Sequence, residues 1–333
     1  MESMNQLVKL GATGPSVYPL ALGCMAMSGM YGESDEAESI ATIQEALDFG
    51  VTLLDTGDFY GMGHNEMLIG KAVRGRRDQA LISVKFGAMR GPDGSWIGLD
   101  IRPASVKNFL AYTLKRLGVD YIDIYRPSRY NDALGVPIED TIGAIKELIE
   151  AGYVRHAGLS EVGVEAIRRA HSVHPVADLQ IEYSLVSRGP ETAIFPALAE
   201  MGIGVTAYGI LSRGLLSGSK PAAKGDFRAY LPRFTGDNLE KNRKLVDELN
   251  RFAAERGKTA TQIAIAWVLA KGSMIVPLLG ARTRKQLHES LGAAGFALSA
   301  EDLARLEAIV PAEAVAGTRY DAHQMGWLDS ERK

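Results

Sequence analysis

The sequence predicts an α/β protein, a single (β/α)8 (TIM) barrel, on three observations. Short apolar runs alternate with amphipathic stretches eight times, with short joins between them. Polar or ionisable residues recur where the apolar runs end: Asp55, Lys85, Tyr125, Ser160, Gln180 with Glu182, and Tyr208. No G-x-G-x-x-G follows the first run. Alternation alone admits a doubly wound open sheet as well as a closed barrel. The missing glycine fingerprint counts against a dinucleotide-binding open sheet, and only a closed barrel brings all those strand ends to one face.

Each element can be justified in turn. Two short apolar segments flank a Gly/Pro turn in residues 6–22, which predicts a hairpin ahead of the main fold. A first strand is expected at 20–24. Residues 36–49 place Ile40, Ile43 and Leu47 on one stripe, a helix that Gly50 ends. Strands then follow at 51–54, 81–85, 121–125, 153–160, 177–184, 203–208 and 274–279. Between them lie helices at 65–74, 103–117, 138–150, 163–172 and 191–201, and a long helical region before the last strand. Two more helices, 284–293 and 300–309, close the pattern, the latter behind Ser299 with Asp302 as its acidic third residue. One irregular insertion, about 209–237, exceeds the usual connection length and reads as a lid over the open face. A tail of about 311–333 follows.

With 333 residues, 46% hydrophobic, the chain can bury a large core. That length permits two domains, but no break in composition divides it, so 1–333 is expected to be one domain. The net charge of -3 counts against a nucleic-acid partner. A single cysteine, Cys24, rules out an internal disulfide, suits a reducing compartment and, within LALGCMAM, reads as a core residue. No signal pattern opens the sequence and no stretch reaches transmembrane length, so a cytoplasmic protein with no membrane partner is expected. No metal site is expected.

The stretch LLDTGDFYGMGHNE, residues 53–66, holds the first candidate chemistry. Asp55 ends a buried strand and Tyr60 sits on the loop after it. Alone, this spacing is better read as a turn cap and a wall residue than as an active site. Adding Lys85, at the end of the next strand, makes a physical set. A tyrosine donates a proton near neutrality only if its ordinary pKa of about 10 is lowered. An ammonium nearby favours phenolate, and an aspartate holds that ammonium in place. Carbonyl reduction by hydride transfer needs such a group, because negative charge develops on the substrate oxygen. A buried Asp–Lys pair with an unrelated tyrosine is the other reading.

These residues resemble a known family. LLDTGDFYGMGHNEMLIG is similar to the first signature of the aldo-keto reductases, with Gly57 where alanine is usual. ISVKFG, KRLGVDYIDIY, GYVRHAGLSE, LQIEYSLVSR, AYGILSRGLLSG and PLLGARTRKQLHES resemble successive later motifs, covering nearly all of the chain. The closest likeness is to microbial aldehyde reductases and the related pyridoxal reductases. The resemblance implies a (β/α)8 barrel using a nicotinamide cofactor, NADP(H), with NADPH preferred over NADH. It implies Tyr60 as proton donor, tuned by Lys85 and Asp55, and Ser160 with Gln180 holding the cofactor carboxamide. Tyr208 would stack on the nicotinamide. Gly209, Leu211 and Arg213 would fold over the pyrophosphate, with Arg213 reaching either phosphate or solvent. Gly280, Arg282, Gln286, Glu289 and Ser290 would grip the adenosine end. Arg282 suits the 2'-phosphate and Glu289 the adenine amino group. Arg282 and Gln286 are expected on one side of a helix start.

Besides Gly57, two positions depart from the family. A histidine is usual three residues beyond Tyr125, where this chain has Ser128, a shorter donor that cannot carry charge. Arg129 either compensates or faces outwards. Ser290 replaces the usual asparagine. His64 and His156 receive no role, and Trp96 and Trp327 either line the pocket or pack their own segments. The implied function is NADP(H)-dependent reduction of an aldehyde or ketone to the alcohol. The alternatives are a cofactor-binding regulatory barrel with little turnover and an enzyme acting mainly as an alcohol dehydrogenase.

Overall fold

Apolar segments too short for helices and rich in β-branched residues build the centre of the molecule, as β-propensity and burial require. The computed structural model describes residues 7–221 and 226–332. Residue 6 of the expected hairpin, 222–225 of the expected lid and 333 of the tail lie outside the described residues. The hairpin forms from β1 (Val8–Lys9) and β2 (Ser16–Val17), paired antiparallel. Eight strands follow in the barrel: β3 (Ala21–Gly23), β4 (Leu53–Gly57), β5 (Leu81–Phe86), β8 (Ile122–Pro127), β9 (Val154–Ser160), β10 (Val176–Glu182), β11 (Gly204–Tyr208) and β12 (Ile275–Gly280). They close in that order, β12 pairing back to β3, with every pairing parallel. The closed barrel is therefore the outcome, not the open sheet.

Helices alternate with these strands: α1 (Glu36–Phe49), α2 (His64–Ala72), α3 (Pro103–Leu117), α4 (Ile138–Glu150), α5 (Val164–Val173) and α6 (Ile194–Met201). The long helical region splits into α7 (Gly236–Ala254) and α8 (Ala260–Ala270), because Gly257 turns the chain and Thr259 caps a new helix through Gln262. After β12 come α9 (Arg284–Leu291) and α10 (Ala300–Ile309), the latter with the Ser299–Asp302 capping box formed. A short helix, α11 (Ala322–Gly326), lies in the tail. The sequence reading missed it, along with a second hairpin, β6 (Ala88–Arg90) with β7 (Trp96–Leu99), after β5.

One apolar core fills the layer between barrel and helices and includes the fully buried Trp267 and Cys24. A smaller cluster of Leu10, Val17, Ala21, Leu53, Ile124, Val276 and Leu278 packs from the first hairpin into the barrel. Ala12 N donates to Gly202 O, so that hairpin closes the amino ends of the strands. The carboxyl ends stay open. Among the described residues, no helix is long and apolar enough to cross a membrane.

Candidate active site

Parallel pairing carries the candidate residues to one end. Register sets Gly57 beside Lys85, Ser160 beside Gln180 and Glu182 beside Tyr208. All of these lie at the carboxyl ends of their strands, around a cavity of about 920 Å³. Asp55, Tyr60, Lys85, Ser128, Gln180, Tyr208, Gly209, Leu211, Arg213, Gly280, Arg282, Gln286, Glu289 and Ser290 all line it. Ser160 does not. It is fully buried, and its hydroxyl stands 3.4 Å from Arg129 Nη1.

On the cavity floor, Lys85 Nζ donates to Asp55 Oδ2 at 2.5 Å. Asp55 Oδ1 accepts from Ser83 Oγ at 3.1 Å and from Gln180 Nε2 at 2.7 Å. Both oxygens of the aspartate are thus bonded, making it the hub of a polar network. That network continues through Arg126, which donates to Ser83 Oγ at 2.9 Å and pairs with Asp178 at 3.0 Å inside the barrel. Thr206 donates to Asp178 from the far side. Lys85 Nζ lies 5.1 Å from the centre of the Tyr60 ring.

Tyr60 reaches this floor on a tight turn in which Gly61, Met62 and Gly63 all have positive φ. Its ring meets Phe59 edge-on at 4.8 Å. The departure at Gly57 has a local reason: a Cβ there would stand 3.0 Å from the Phe59 ring and 3.3 Å from that of Tyr60. Without it, both rings close onto the strand end. The expectation that Lys85 lowers Tyr60 needs correction. Burial and the Asp55 carboxylate hold the phenol well above its ordinary range, Tyr31 and Tyr320 add to this, and Arg129 opposes it. Burial also lowers Lys85, against the pull of Asp55.

Ser128 follows β8, with its amide donating to Phe86 O at 2.7 Å. Its hydroxyl is buried and makes no hydrogen bond. Arg129 turns inward, not outward, and lines the same cavity. His64 instead binds Ser28 and Glu36 at the start of α2, and His156 sits half-buried within β9; neither lines the cavity.

The adenosine-end candidates sit at the rim. Helix α9 begins at Arg284 with Thr283 as its cap, so Arg282 lies ahead of the helix, not on its face. Gln286 folds back so that its Oε1 accepts from Arg282 N at 3.0 Å. The Arg282 guanidinium rests on the Tyr31 and Glu33 carbonyls, at 3.1 Å each. Neighbouring Arg284 is a surface residue paired with Glu38.

The loop after β11 makes its turn at Gly209, where positive φ and the Glu182 side chain 3.0 Å from a would-be Cβ both require glycine. Ser212 and Arg213 also hold positive φ, unusual for residues with side chains. Arg213 does not reach into solvent. It pairs with Glu182 at 2.8 Å and lies 4.4 Å from the centre of the Tyr320 ring.

Sequence reasoning offered Trp327 as a pocket-lining residue of the tail but missed what anchors the tail there. Arg319 makes a bidentate pair with Glu161, at 2.7 and 2.6 Å, and Ser330 donates to the same carboxylate at 2.7 Å. Tyr208 Oη also donates to Glu161, at 2.7 Å, and meets Tyr320 Oη at 3.1 Å. Burial works against ionisation of Glu161, yet Arg319 holds it well below the carboxylate range. Anchored this way, the tail brings Tyr320, His323, Gln324 and Trp327 to the cavity wall. Opposite them, Trp96 lines the wall from the second hairpin, with the Arg90 guanidinium 5.5 Å from its ring centre. Glu161 carried one signal, its place after a strand end in GLSE; Arg319, in a non-periodic tail, carried none.

The aldo/keto reductase family model matches residues 19–311. The chain belongs to that family. A probable aldo-keto reductase of Glycine max is 39% identical over 327 residues, covering 96% of this chain and 93% of the relative. Among solved structures, the glycerol dehydrogenase of Gluconobacter oxydans superposes with a TM-score of 0.83 at 29% identity, over 97% of this chain and 99% of that one. An aldo/keto reductase of Klebsiella pneumoniae, crystallised with NADP and acetate, shares the fold with a TM-score of 0.74 at 23% identity, over 95% and 99% of the two chains. As an aldo-keto reductase, the protein is an oxidoreductase by family.

Proposed function

We propose that the protein reduces an aldehyde or ketone to the alcohol with NADP(H), Tyr60 giving the proton. The observation that carries this is the buried Asp55–Lys85 pair beneath Tyr60, on the floor of one cavity that runs to the Arg282–Ser290 rim. The residues fit the cofactor. The cavity is large enough for an extended ligand. Arg282 makes no carboxylate ion pair among the described residues and is free to take a 2'-phosphate. The Klebsiella barrel, which shares the fold, holds NADP.

When bound, the cofactor supplies the hydride; this chain's residues do the rest. Gln180 spends its amide N–H on Asp55, leaving its carbonyl oxygen to accept from the carboxamide. Ser160, off the wall, supports Arg129 in place of direct contact. Tyr208, fixed by Glu161, offers its ring as the stacking surface. Glu289 and Ser290 suit the adenosine, and the strained Gly209–Arg213 turn suits the pyrophosphate. Like any phenol, Tyr60 is protonated at neutral pH, and burial with Asp55 makes it a weaker acid still. It therefore donates only when charge on the substrate oxygen and the nearby cations favour the phenolate. It releases its proton as the carbonyl oxygen gains charge, and Lys85 sits against the ring that is left anionic. Trp96 and Trp327 would exclude water from the bound carbonyl.

The test is turnover of reduced cofactor with a panel of aldehydes and ketones, and of oxidised cofactor with alcohols. Tyr60→Phe keeps most of the ring's packing and should lower kcat by about two to four orders of magnitude, with cofactor binding largely kept. No turnover of any substrate by the native protein would support the cofactor-binding regulatory barrel instead.

A further inference from the structure

Ser128 and Arg129 are adjacent in sequence and line the same cavity; among the described residues the Ser128 hydroxyl has no partner and the Arg129 cation no carboxylate. The Ser128 hydroxyl is buried and unpartnered. A buried hydroxyl without a partner is costly, and a ligand atom removes that cost. The Arg129 guanidinium is held at three points. Nη1 donates to Ser128 O at 2.6 Å and to Ser160 Oγ at 3.4 Å, and Nη2 donates to Tyr320 Oη at 3.3 Å. All three acceptors are neutral. Among the described residues Arg129 has no carboxylate partner, whereas neighbouring Arg213, Arg228 and Arg319 each have one. Tyr208, Tyr320 and Glu161 act on Arg129 through space and Arg319 opposes them, but Glu161 is itself bonded twice by Arg319, so no carboxylate answers Arg129 directly. A desolvated cation held only by neutral acceptors is unfavourable unless the site is built to face an anion, permanent or developing.

The groups that act on Tyr60 point the same way. Asp55, Tyr31 and Tyr320 favour its protonated form, and Arg129 favours phenolate. Lys85 is bound to Asp55 at 2.5 Å, so much of its charge is answered locally. Arg129 is the cation left over.

We propose that Ser128 and Arg129 divide the work that histidine does in relatives: Ser128 gives the substrate oxygen a hydrogen bond, and Arg129 supplies the positive charge. This rests on the reading of Tyr60 as proton donor. In the reduction, the carbonyl carbon takes a hydride from the reduced nicotinamide cofactor and the C=O electron pair moves onto oxygen. That oxygen takes the Tyr60 proton, leaving a phenolate. Arg129 lowers the energy of the phenolate and of the charge building on oxygen, while Tyr320 and Ser160 hold its guanidinium in place. It is a positioning residue for Tyr60, and its effect is electrostatic.

The experiment compares Arg129→Met, which removes the charge but keeps the length, with Arg129→Lys, which keeps the charge. Measured at saturating cofactor and aldehyde, kcat for Arg129→Met should fall about a hundredfold. The pH limb reporting Tyr60 should move to higher pH, because the cation favouring phenolate is gone. Arg129→Lys should recover part of the rate and return the limb towards its native position. Aldehyde KM should change much less than kcat. If Arg129→Met does not fold, Arg129→Gln carries the same prediction. Loss of rate with an unmoved limb, or a lysine variant no better than methionine, would overturn the proposal. Tyr60→Phe separates the two readings: if it stays active, the proton-donor reading fails, whereas an inactive Tyr60→Phe beside an unmoved Arg129→Met limb removes Arg129's role alone.

Discussion

Two buried charge clusters stand at the open end of this barrel, and they are built differently. The first, Asp55 with Lys85, is one carboxylate and one ammonium on adjacent strands, held by Ser83 on the lysine's own strand and by Gln180 on β10. The second gathers Glu161 and Glu182 against Arg213, Arg233 and Arg319, drawn from strand ends, the long loop and the tail. The first sits under Tyr60, where chemistry is proposed. The second ties loop and tail to the barrel and reaches the cavity through Tyr208 and Tyr320. Charges on a rigid scaffold suit catalysis, whereas charges that join chain segments distant in sequence suit closure of a wall.

Breaking the second cluster should have the largest effect on folding. Glu161→Gln removes a carboxylate that Arg319 engages with two bonds, leaving that guanidinium buried beside Glu182 and Glu331 alone. Stability should fall by about 3–5 kcal/mol, read as a lower denaturant midpoint. The tail should become protease-sensitive first, and aldehyde KM should rise more than kcat falls. A variant as stable as the native protein would mean that the tail is held by its other contacts.

Acid sharpens the contrast. Glu161 has its folded pKa held below its unfolded value, so its contribution is present above the ordinary carboxylate range and is lost as pH falls. Asp58, two residues before Tyr60, behaves oppositely. Burial and Glu66 push its carboxyl up to about 8, and one of its oxygens has no partner. Its contribution is full below its unfolded pKa and is lost as pH rises towards about 8. Asp58→Asn should flatten the stability profile on the neutral side while leaving the acid loss unchanged.

Breaking the first cluster should act on turnover. Lys85→Met removes the ammonium while keeping the stem and should lower kcat by about two to three orders of magnitude. It also leaves Asp55 a buried carboxylate supported only by Ser83 and Gln180, so a stability loss accompanies it. Paired measurements decide the comparison: Glu161→Gln should move stability and KM, and Lys85→Met should move kcat most. If both variants lose kcat alike, the clusters form one functional unit.

The sequence made the first cluster legible but, of the second, only Glu182 and Arg213, and for a physical reason. Strand ends are marked by the switch from apolar run to polar residue, so Asp55, Lys85, Gln180 and Tyr208 could be placed on one face before any coordinates. The partners of Glu161 come from the tail, where no periodicity fixes which residue turns inward, and Arg319 is no different in kind from Arg332. The same limit applied at Arg129, whose direction depends on Tyr320 almost two hundred residues away in the chain. Ser160 was legible as a strand end, but Arg129 covers it, which strand alternation cannot reveal. The helix starts at Arg284 as expected, with Thr283 as its cap, and Arg282 just ahead of it is bridged to Gln286 through its backbone amide.

A smaller effect is expected at the cavity rim. Arg282→Ala should weaken NADPH binding about tenfold to a hundredfold, with NADH almost unaffected, since only NADPH carries the 2'-phosphate that a charge-assisted bond would hold. Titration of cofactor fluorescence measures both. Equal losses would show that Arg282 serves mainly to hold the Tyr31 and Glu33 carbonyls.

The smallest effect, and the one that best isolates chemistry from structure, is expected at Ser128. Its hydroxyl makes no bond with any described residue, so Ser128→Ala removes no native partner and should leave stability unchanged or raise it, by at most about 1–3 kcal/mol, the penalty of an unsatisfied buried hydroxyl. If the hydroxyl bonds the substrate oxygen only as charge builds, kcat should fall about tenfold, the equivalent of one modest hydrogen bond of roughly 1 kcal/mol. Ser128→His tests the space: Tyr130 is buried beside it, its hydroxyl bound to Asp132, and Arg129 fills the cavity side, so the larger ring should displace the guanidinium and not simply add to it. The comparison that matters is kcat for Ser128→Ala against Tyr60→Phe, both at saturating cofactor and substrate. The phenol is a far stronger acid than a serine hydroxyl with no base beside it, so the tyrosine variant should lose more by at least an order of magnitude. A serine variant that loses more would overturn Tyr60 as the proton donor.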